Sequence, residues 1–186
     1  MDRLLEKTFL QEINGQCNNA LLALENVRAW EAKLPDTDAQ RRFWYSIQSA
    51  LTAVANISKI LFPGASACAG RGMHLRGLIG AVATDPFNPN PPTRTNHPRN
   101  MRNSYDHFDE RIDLKWWTVT GRKERAGYCF FPLGALEAKF GVLNCFRNYD
   151  MTTRTLTFMG EHLEMQPVEN AVKALQQQLT TLLATR

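Results

Sequence analysis

The sequence lacks the patterns that mark several common classes of protein. Its 186 residues contain no apolar run of membrane-spanning length, no internal repeat, no low-complexity tract and no glycine-rich phosphate loop with its lysine. The start of the chain, residues 1–7, mixes acidic and basic side chains and is not typical of a signal peptide. We therefore expect a cytoplasmic protein without a membrane partner.

Residues that ligate metals are few and scattered. The four cysteines show no CxxC spacing, and they are Cys17, Cys68, Cys129 and Cys145. The four histidines show no ligand spacing either, and they are His74, His97, His107 and His162. The sequence therefore predicts neither a zinc site nor a disulfide framework, and it implies no metal and no cofactor. Buried free thiols are the simpler interpretation of the cysteines.

Composition and charge are those of a globular protein. Hydrophobic residues make up 44% of the chain and charged residues 22%, which is ordinary for a folded domain and wrong for a disordered one. The net charge of +4 and the pI near 9.0 permit a partner that carries phosphate groups, but they do not demonstrate one.

The spacing of apolar side chains by three and four residues predicts two long helices at the start of the chain. The first covers residues 2 to about 34, before Pro35, and the second covers 37–61, after a turn that supplies an N-cap. A short connection makes these helices antiparallel, as in half of a helical bundle. Trp44 and Tyr45 have the shape to stack on a base, but aromatic residues at helical spacing are more often core.

The following segments are predicted to be less regular. A short, weak helix is predicted near residues 73–79. The proline-rich stretch 85–92 is predicted to be an exposed loop, which residues 93–99 extend. In that extension Arg94, His97 and Arg99 are free either to contact a phosphate backbone or to be solvated.

The pattern changes after residue 113. Segments 114–119 and 128–131 are rich in aromatic and β-branched residues, and segment 142–149 alternates before a short connection to 155–159, which predicts a hairpin. These segments predict a small antiparallel sheet that contributes no catalytic side chain. Pro167 then opens a last helix, whose apolar stripe should pack back on the same domain.

The stretch 98–113 places cations, amides, carboxylates and a histidine on one predicted helix. Its apolar residues lie four, three and four positions apart, like the core-facing stripe of an amphipathic helix, and they are Met101, Tyr105, Phe108 and Ile112. Asn103 and His107 are four residues apart, so they lie one turn above the other. The long side chain of Arg102 can reach the same region.

The segment Arg102-Asn103-Ser104-Tyr105-Asp106-His107 resembles the motif of HEPN domains, in which an arginine followed by a polar residue, often asparagine, precedes a histidine by a few residues. The order of two long helices, a loop and a motif helix resembles the same family. The resemblance implies a mainly α fold with a HEPN-like antiparallel helical bundle over residues 1–113. A small β-rich insertion over 114–160, which is outside the common core of the family, and a C-terminal helix over 161–186 complete this prediction.

The resemblance further implies a metal-independent endoribonuclease with Arg102, Asn103 and His107 as catalytic residues. An imidazole exchanges protons near neutral pH, and a guanidinium binds phosphate oxygens with a planar set of donors. The residues expected to contact RNA are Arg94, Arg99 and Arg111. HEPN domains commonly pair so that two motifs line one cleft, which implies a homodimer. A defence or toxin-like role, with an antitoxin or regulatory protein as a further partner, is also implied.

Three other interpretations are compatible with the same residues. Arg102 can pair with Asp106, four residues further along the helix, and then the motif serves only the helix itself. A HEPN-like domain can bind nucleic acid or nucleotide without cleaving it. The chain can also be an interaction module whose sheet and C-terminal helix form the main interface.

Overall fold

The structure is a computed structural model that describes residues 2–89, 97–107, 126–140 and 145–185. The helices are α1 (Arg3–Glu31), α2 (Thr37–Leu61), α3 (Ala69–Ile79), α4 (Ala81–Thr84), α5 (Pro98–Asp106), α6 (Leu133–Phe140) and α7 (Met165–Ala184). The strands are β1 (Ala126–Cys129), β2 (Cys145–Asp150), β3 (Thr155–Phe158) and β4 (Glu161–Glu164). The prediction of a mainly helical chain with a small sheet and a C-terminal helix is confirmed.

The chain divides into two compact units. The helical unit comprises Met1–Arg94 and Pro167–Arg186, and the sheet unit comprises Thr95–Gln166. This division differs from the predicted boundary at residue 113, because α5, the helix that carries the Arg102 motif, groups with the sheet and not with α1 and α2. No single helix among the described residues is long and apolar enough to cross a membrane. Taken together, α2 and Ser66–Ile79 have sufficient length and apolar composition, but they are bent by 79° relative to each other.

Side-chain caps fix the starts of the two long helices. The carboxylate of Asp2 accepts a hydrogen bond from the Leu5 N–H at 2.8 Å, and that of Asp36 accepts one from the Ala39 N–H at 2.8 Å. Caps of this kind typically contribute about 1 kcal/mol each. The predicted bounds of α2 are confirmed at both ends, whereas α1 ends at Glu31, about three residues earlier than predicted.

The core of the helical unit lies between α1 and α2. Its fully buried side chains recur every three or four residues on both helices and include Leu10, Ile13, Leu24, Phe43, Ile47 and Leu51. On α7, the apolar stripe predicted from the sequence is also buried, and its members include Val172, Leu175 and Leu179. Because these residues leave water together, the hydrophobic effect supplies most of the stability of this unit.

A buried charge cluster joins α1 to α7. Glu169 is 1% exposed and lies 2.7 Å from both the Arg28 guanidinium and the Lys173 ammonium. Burial alone raises the pKa of Glu169, but the hydrogen bonds and charges of Lys173 and Arg28 outweigh it and hold the pKa below its usual range. The carboxylate therefore stays charged and paired at neutral pH.

The segment after α2 is more ordered than its composition predicts. α3 begins at Ala69, four residues before the predicted helix. A 3₁₀ turn at Asp85–Phe87 precedes the remaining prolines, and Phe87 is buried, while its carbonyl accepts a hydrogen bond from the Ser58 hydroxyl at 2.8 Å. The prediction of an exposed loop is therefore wrong for Phe87, whereas Asp85 and Pro86 are exposed, as predicted. The part of that loop at 90–96 lies outside the described residues.

The sheet has four strands in the order β1-β2-β3-β4. The predicted hairpin is confirmed as β2 and β3, and β4 extends it in the antiparallel sense. The predicted small antiparallel sheet is confirmed for β2, β3 and β4, whereas β1 pairs with β2 in parallel through a crossover that contains α6. Neither α6 nor β4 was expected, and the predicted strand at 114–119 lies outside the described residues.

Two buried polar side chains on β2 hold the start of this crossover. The amide of Asn148 exchanges two hydrogen bonds with the backbone of Phe131, at 2.9 and 3.0 Å. The carboxylate of Asp150 accepts from the N–H groups of Leu133, Thr152 and Thr153, at 3.0, 2.8 and 3.2 Å. Burial raises the pKa of Asp150, but these backbone hydrogen bonds outweigh it and lower the pKa below its usual value.

Candidate functional site

The buried side of helix α5 packs against the sheet of the same unit. Met101 and Tyr105 are buried, as their spacing predicted, and the Tyr105 ring stacks on Phe158 at a centroid distance of 4.4 Å. The Ser104 hydroxyl donates a hydrogen bond to the Glu161 carboxylate at 2.8 Å. Phe108 and Ile112, the other two members of the predicted stripe, lie outside the described residues. These contacts fix the face of α5 that turns away from the sheet.

A histidine begins this helix and another ends it. The Nδ1 atom of buried His97 accepts a hydrogen bond from the Arg99 N–H at 3.1 Å, which caps the first turn. At the other end, His107 has left the helical conformation, with φ −104° and ψ 37°, while its N–H donates to the Asn103 carbonyl at 3.1 Å. The prediction that the helix runs unbroken towards Ile112 is therefore wrong, because it ends at Asp106.

Arg102 makes the pairing that one of the alternative interpretations predicted. Its Nη1 atom lies 2.5 Å from the Asp106 carboxylate and 3.5 Å from the Asn103 amide oxygen. The Arg102 side chain is 25% exposed, and its Nε atom is buried without a hydrogen-bond partner among the described residues. A buried N–H without a partner costs free energy, so the Arg102–Asp106 pair is held at the expense of one unsatisfied donor.

The other two motif residues are accessible to solvent. Asn103 and His107 are both exposed, and the hydrogen bond between their backbones keeps them one turn apart. The structure therefore brings the three predicted catalytic residues together at the C-terminal end of α5. The guanidinium, the amide and the imidazole come from positions 102, 103 and 107, which span about 1.4 helical turns.

The predicted RNA-binding residues are only partly described. Arg99 lies in the first turn of α5 and is half-buried. Arg94 and Arg111 lie outside the described residues. Of the three arginines predicted to bind RNA, only Arg99 is therefore located by the structure.

A cation that the sequence did not suggest also contacts α5. The guanidinium of Arg147, on β2, lies 4.6 Å from the centre of the Tyr105 ring. The strand register places Arg147, Phe158 and Glu161 in one row across β2, β3 and β4, and α5 contacts all three. No local pattern marks Arg147, because its neighbour Tyr105 is 42 positions away in the chain. The prediction that the sheet contributes no catalytic side chain stays a prediction, because Arg147 contacts Tyr105, which is a packing residue of α5.

Some charges near the C-terminal end of α5 repel a phosphate, and others attract it. The carbonyl groups of a helix C-terminus carry a partial negative charge, and Asp106 adds a full one, so both repel a phosphate. Arg102 offsets Asp106, and Arg99 and Arg147 add positive charge on the same unit. Anion binding here therefore depends on how far Asp106 neutralises Arg102.

Neither a metal cluster nor a known relative assigns a function to this site. Within the ranges that the structure describes, no group of three or more His, Cys, Asp or Glu side chains is arranged to hold a metal ion. Comparisons with protein-family models, with curated proteins and with solved structures found no match for the chain.

Proposed function

We propose that this protein binds RNA at the C-terminal end of α5 and cleaves it without a metal ion, as the resemblance to HEPN domains implies. The observation that supports the proposal is that Asn103 lies next to both other motif residues, 3.5 Å from the Arg102 guanidinium through its side chain and hydrogen-bonded to His107 through its backbone, with the amide and imidazole exposed. These are the chemical groups that cleavage by the ribose 2′-hydroxyl requires.

Each side chain has a role in this reaction. The imidazole of His107 takes the proton of the 2′-hydroxyl or returns one to the leaving 5′-oxygen. Arg102, whose side chain is partly exposed, stabilises the charge that develops on the phosphate. The exposed amide of Asn103 orients the phosphate. Since one imidazole cannot fill the acid and base roles at once, the proposal includes a homodimer.

A second function is favoured by one observation. The Arg102–Asp106 pair, at 2.5 Å, reduces the positive charge that a transition state needs, and this suits a site that binds nucleic acid without cleaving it. The two functions differ in what happens to bound RNA, so one set of experiments separates them.

Cleavage of a labelled single-stranded RNA in the presence of EDTA tests the proposal. We expect products with a 2′,3′-cyclic phosphate and a 5′-hydroxyl, and we expect His107→Ala and Arg102→Ala to lose activity by about 100-fold or more. Arg42→Ala is the matched control, because Arg42 forms an exposed pair with Asp38 at the same four-residue spacing on α2. Binding without cleavage by the wild-type protein would support the second function.

The variants must also be shown to be folded. His107 is exposed, and substitutions of exposed residues usually change stability by less than about 0.5 kcal/mol, so His107→Ala should shift the thermal transition only slightly. If the folded His107→Ala protein cleaves RNA as fast as the wild type, the catalytic assignment is wrong.

A further inference from the structure

A groove without charged side chains runs along the outer side of α1 and α2. It has a volume of about 650 Å³. Most of the side chains that line it are amides or hydroxyls, and the amides are Gln16, Asn19, Asn26, Gln48 and Asn56. All the lining residues belong to the helical unit and lie within the described part of the chain, and none of them carries a charge.

The absence of charge in this groove is unusual for the outer surface of two helices. Elsewhere the same helices carry exposed Glu, Lys and Arg side chains, and 22% of the whole chain is charged. On α2, the lining residues extend from Tyr45 to Asn56, which corresponds to about 16 Å along the helix axis. A charge-free strip of this length is typical of a surface that another protein covers.

Two apolar side chains at this groove are exposed. Tyr45 is 74% exposed and Leu22 is 60% exposed, although a large apolar side chain normally loses most of its contact with water on folding. The small residues Ala23 and Ala53 are buried at the groove, so its floor lies low enough for a helix to approach closely. Aromatic spacing in the sequence favoured core packing for Tyr45, but its ring is exposed. Tyr45 is therefore available as an anchor for a partner protein.

The size and openness of the groove favour a helix over a small molecule. A site for a small molecule usually encloses most of its ligand and is lined mainly by apolar groups. Here Asn19, Asn26 and Gln48 are exposed and spread along both helices, and none of their three side-chain amides has a hydrogen-bond partner among the described residues. Such a row of amides suits a partner helix laid along the groove.

We propose that the occupant is a second copy of this chain, which docks its own α2 ridge, with Tyr45 foremost, into the groove. In a twofold contact, residues near the axis meet their own copies, so a charged residue there would face a like charge. An amide carries both donors and an acceptor and can pair with its own copy. Electrostatic steering between different proteins would instead favour complementary charges. The charge-free, amide-rich groove therefore matches a symmetric contact.

This inference rests on the helical unit alone and is independent of the proposed ribonuclease site. It identifies a surface for self-association that is separate from the pairing of two motif helices that the resemblance implies. A dimer formed through α1 and α2 and one formed through α5 respond to different substitutions, so they can be told apart.

Sedimentation velocity of the full chain over a dilution series tests the proposal. We expect a wild-type dimer, and we expect Gln48→Glu and Gln48→Lys each to raise the dissociation constant by about tenfold or more, because each places like charges across the axis. Gln11→Lys is the matched control, since Gln11 is exposed on α1 and does not line the groove. It should leave the dissociation constant unchanged.

A charge swap makes the test specific to a symmetric contact. When differently labelled Gln48→Glu and Gln48→Lys proteins are mixed, we expect a heterodimer at least as tight as the wild-type dimer. A monomeric wild type overturns the proposal, as does a dimer that neither Gln48 variant weakens, or a mixture that forms no heterodimer. Dissociation by Asn103→Lys, with both Gln48 variants still dimeric, would assign the interface to α5 instead.

Discussion

Replacing Asp106 by asparagine separates the structural role of Arg102 from its proposed role in RNA binding. The substitution keeps the shape of the side chain and removes the charge that lies 2.5 Å from the Arg102 guanidinium. We expect Asp106→Asn to bind single-stranded RNA about three- to tenfold more tightly than the wild type. The expectation follows from Coulomb's law and from the exposure of the pair.

The magnitude can be estimated from where a phosphate would sit. A phosphate on the edge of the guanidinium away from Asp106 lies about 7 Å from that carboxylate, where two charges repel by about 0.6 kcal/mol in water and about 2.4 kcal/mol at an effective dielectric constant of 20. The Asp106 side chain is 33% exposed, so the lower part of this range applies. About 0.6 to 1.4 kcal/mol corresponds to a three- to tenfold gain.

Folding stability should barely change in this variant. A pair at four-residue spacing on a helix contributes about 0.3 to 0.5 kcal/mol, and the loss is offset because a carboxylate is unfavourable at a helix C-terminus. Any large change in RNA affinity therefore reports on the site and not on unfolding. Asp38→Asn, which breaks the corresponding pair with Arg42 on α2, is the matched control.

Fluorescence anisotropy of a labelled oligonucleotide, repeated at several salt concentrations, measures the effect. The slope of the logarithm of the binding constant against the logarithm of salt should steepen by about one phosphate contact in Asp106→Asn. Adding Arg102→Ala should remove the gain. Unchanged or weaker binding by Asp106→Asn would show that Arg102 does not contact RNA, and the structural interpretation of the motif would replace the proposed one.

Three further predictions concern stability. Hydrogen bonds hold the pKa of Asp150 below its unfolded value of about 3.9. The contribution of Asp150 to folding stability is therefore present above that value and is lost as the pH falls through the folded pKa. Asp150→Asn should flatten the loss of stability below about pH 4, as measured by urea titrations. Glu169→Ala should lower the free energy of unfolding by about 1.5 to 3 kcal/mol at neutral pH, because it removes the charge-assisted hydrogen bonds that the buried carboxylate accepts from two half-exposed cations. The loss should be smaller under acid conditions, where the wild-type carboxylate is protonated. Gly72→Ala should destabilise the protein by about 1 to 3 kcal/mol, because the added Cβ would lie 2.7 Å from the Leu61 carbonyl oxygen. Gly15→Ala should stabilise it by about 0.5 to 1 kcal/mol, because no atom lies within 4 Å of the added Cβ. Equal shifts of the thermal transition for the two variants would contradict this prediction.

Local patterns in the sequence determined the long helices and the hairpin. The start of α2 follows from the Asp36 cap, and its end follows from the Phe62-Pro63-Gly64 stop, both of which act within a few residues. The buried positions of Met101 and Tyr105 follow from helical spacing in the same way. The Arg102–Asp106 pair was foreseen as an alternative because four-residue spacing on a helix brings two side chains together.

Only the tertiary structure decided which surfaces these elements cover. Apolar spacing shows that one side of α5 is buried, but it does not show that the side lies against β3 and β4 in the sheet unit. The parallel pairing of β1 with β2 depends on the path of the crossover and on the buried Asn148 and Asp150, whose partners are 17 positions away. Arg147 reaches Tyr105 through the same sheet. Such contacts depend on the three-dimensional path of the chain, so the spacing of residues along one element cannot predict them.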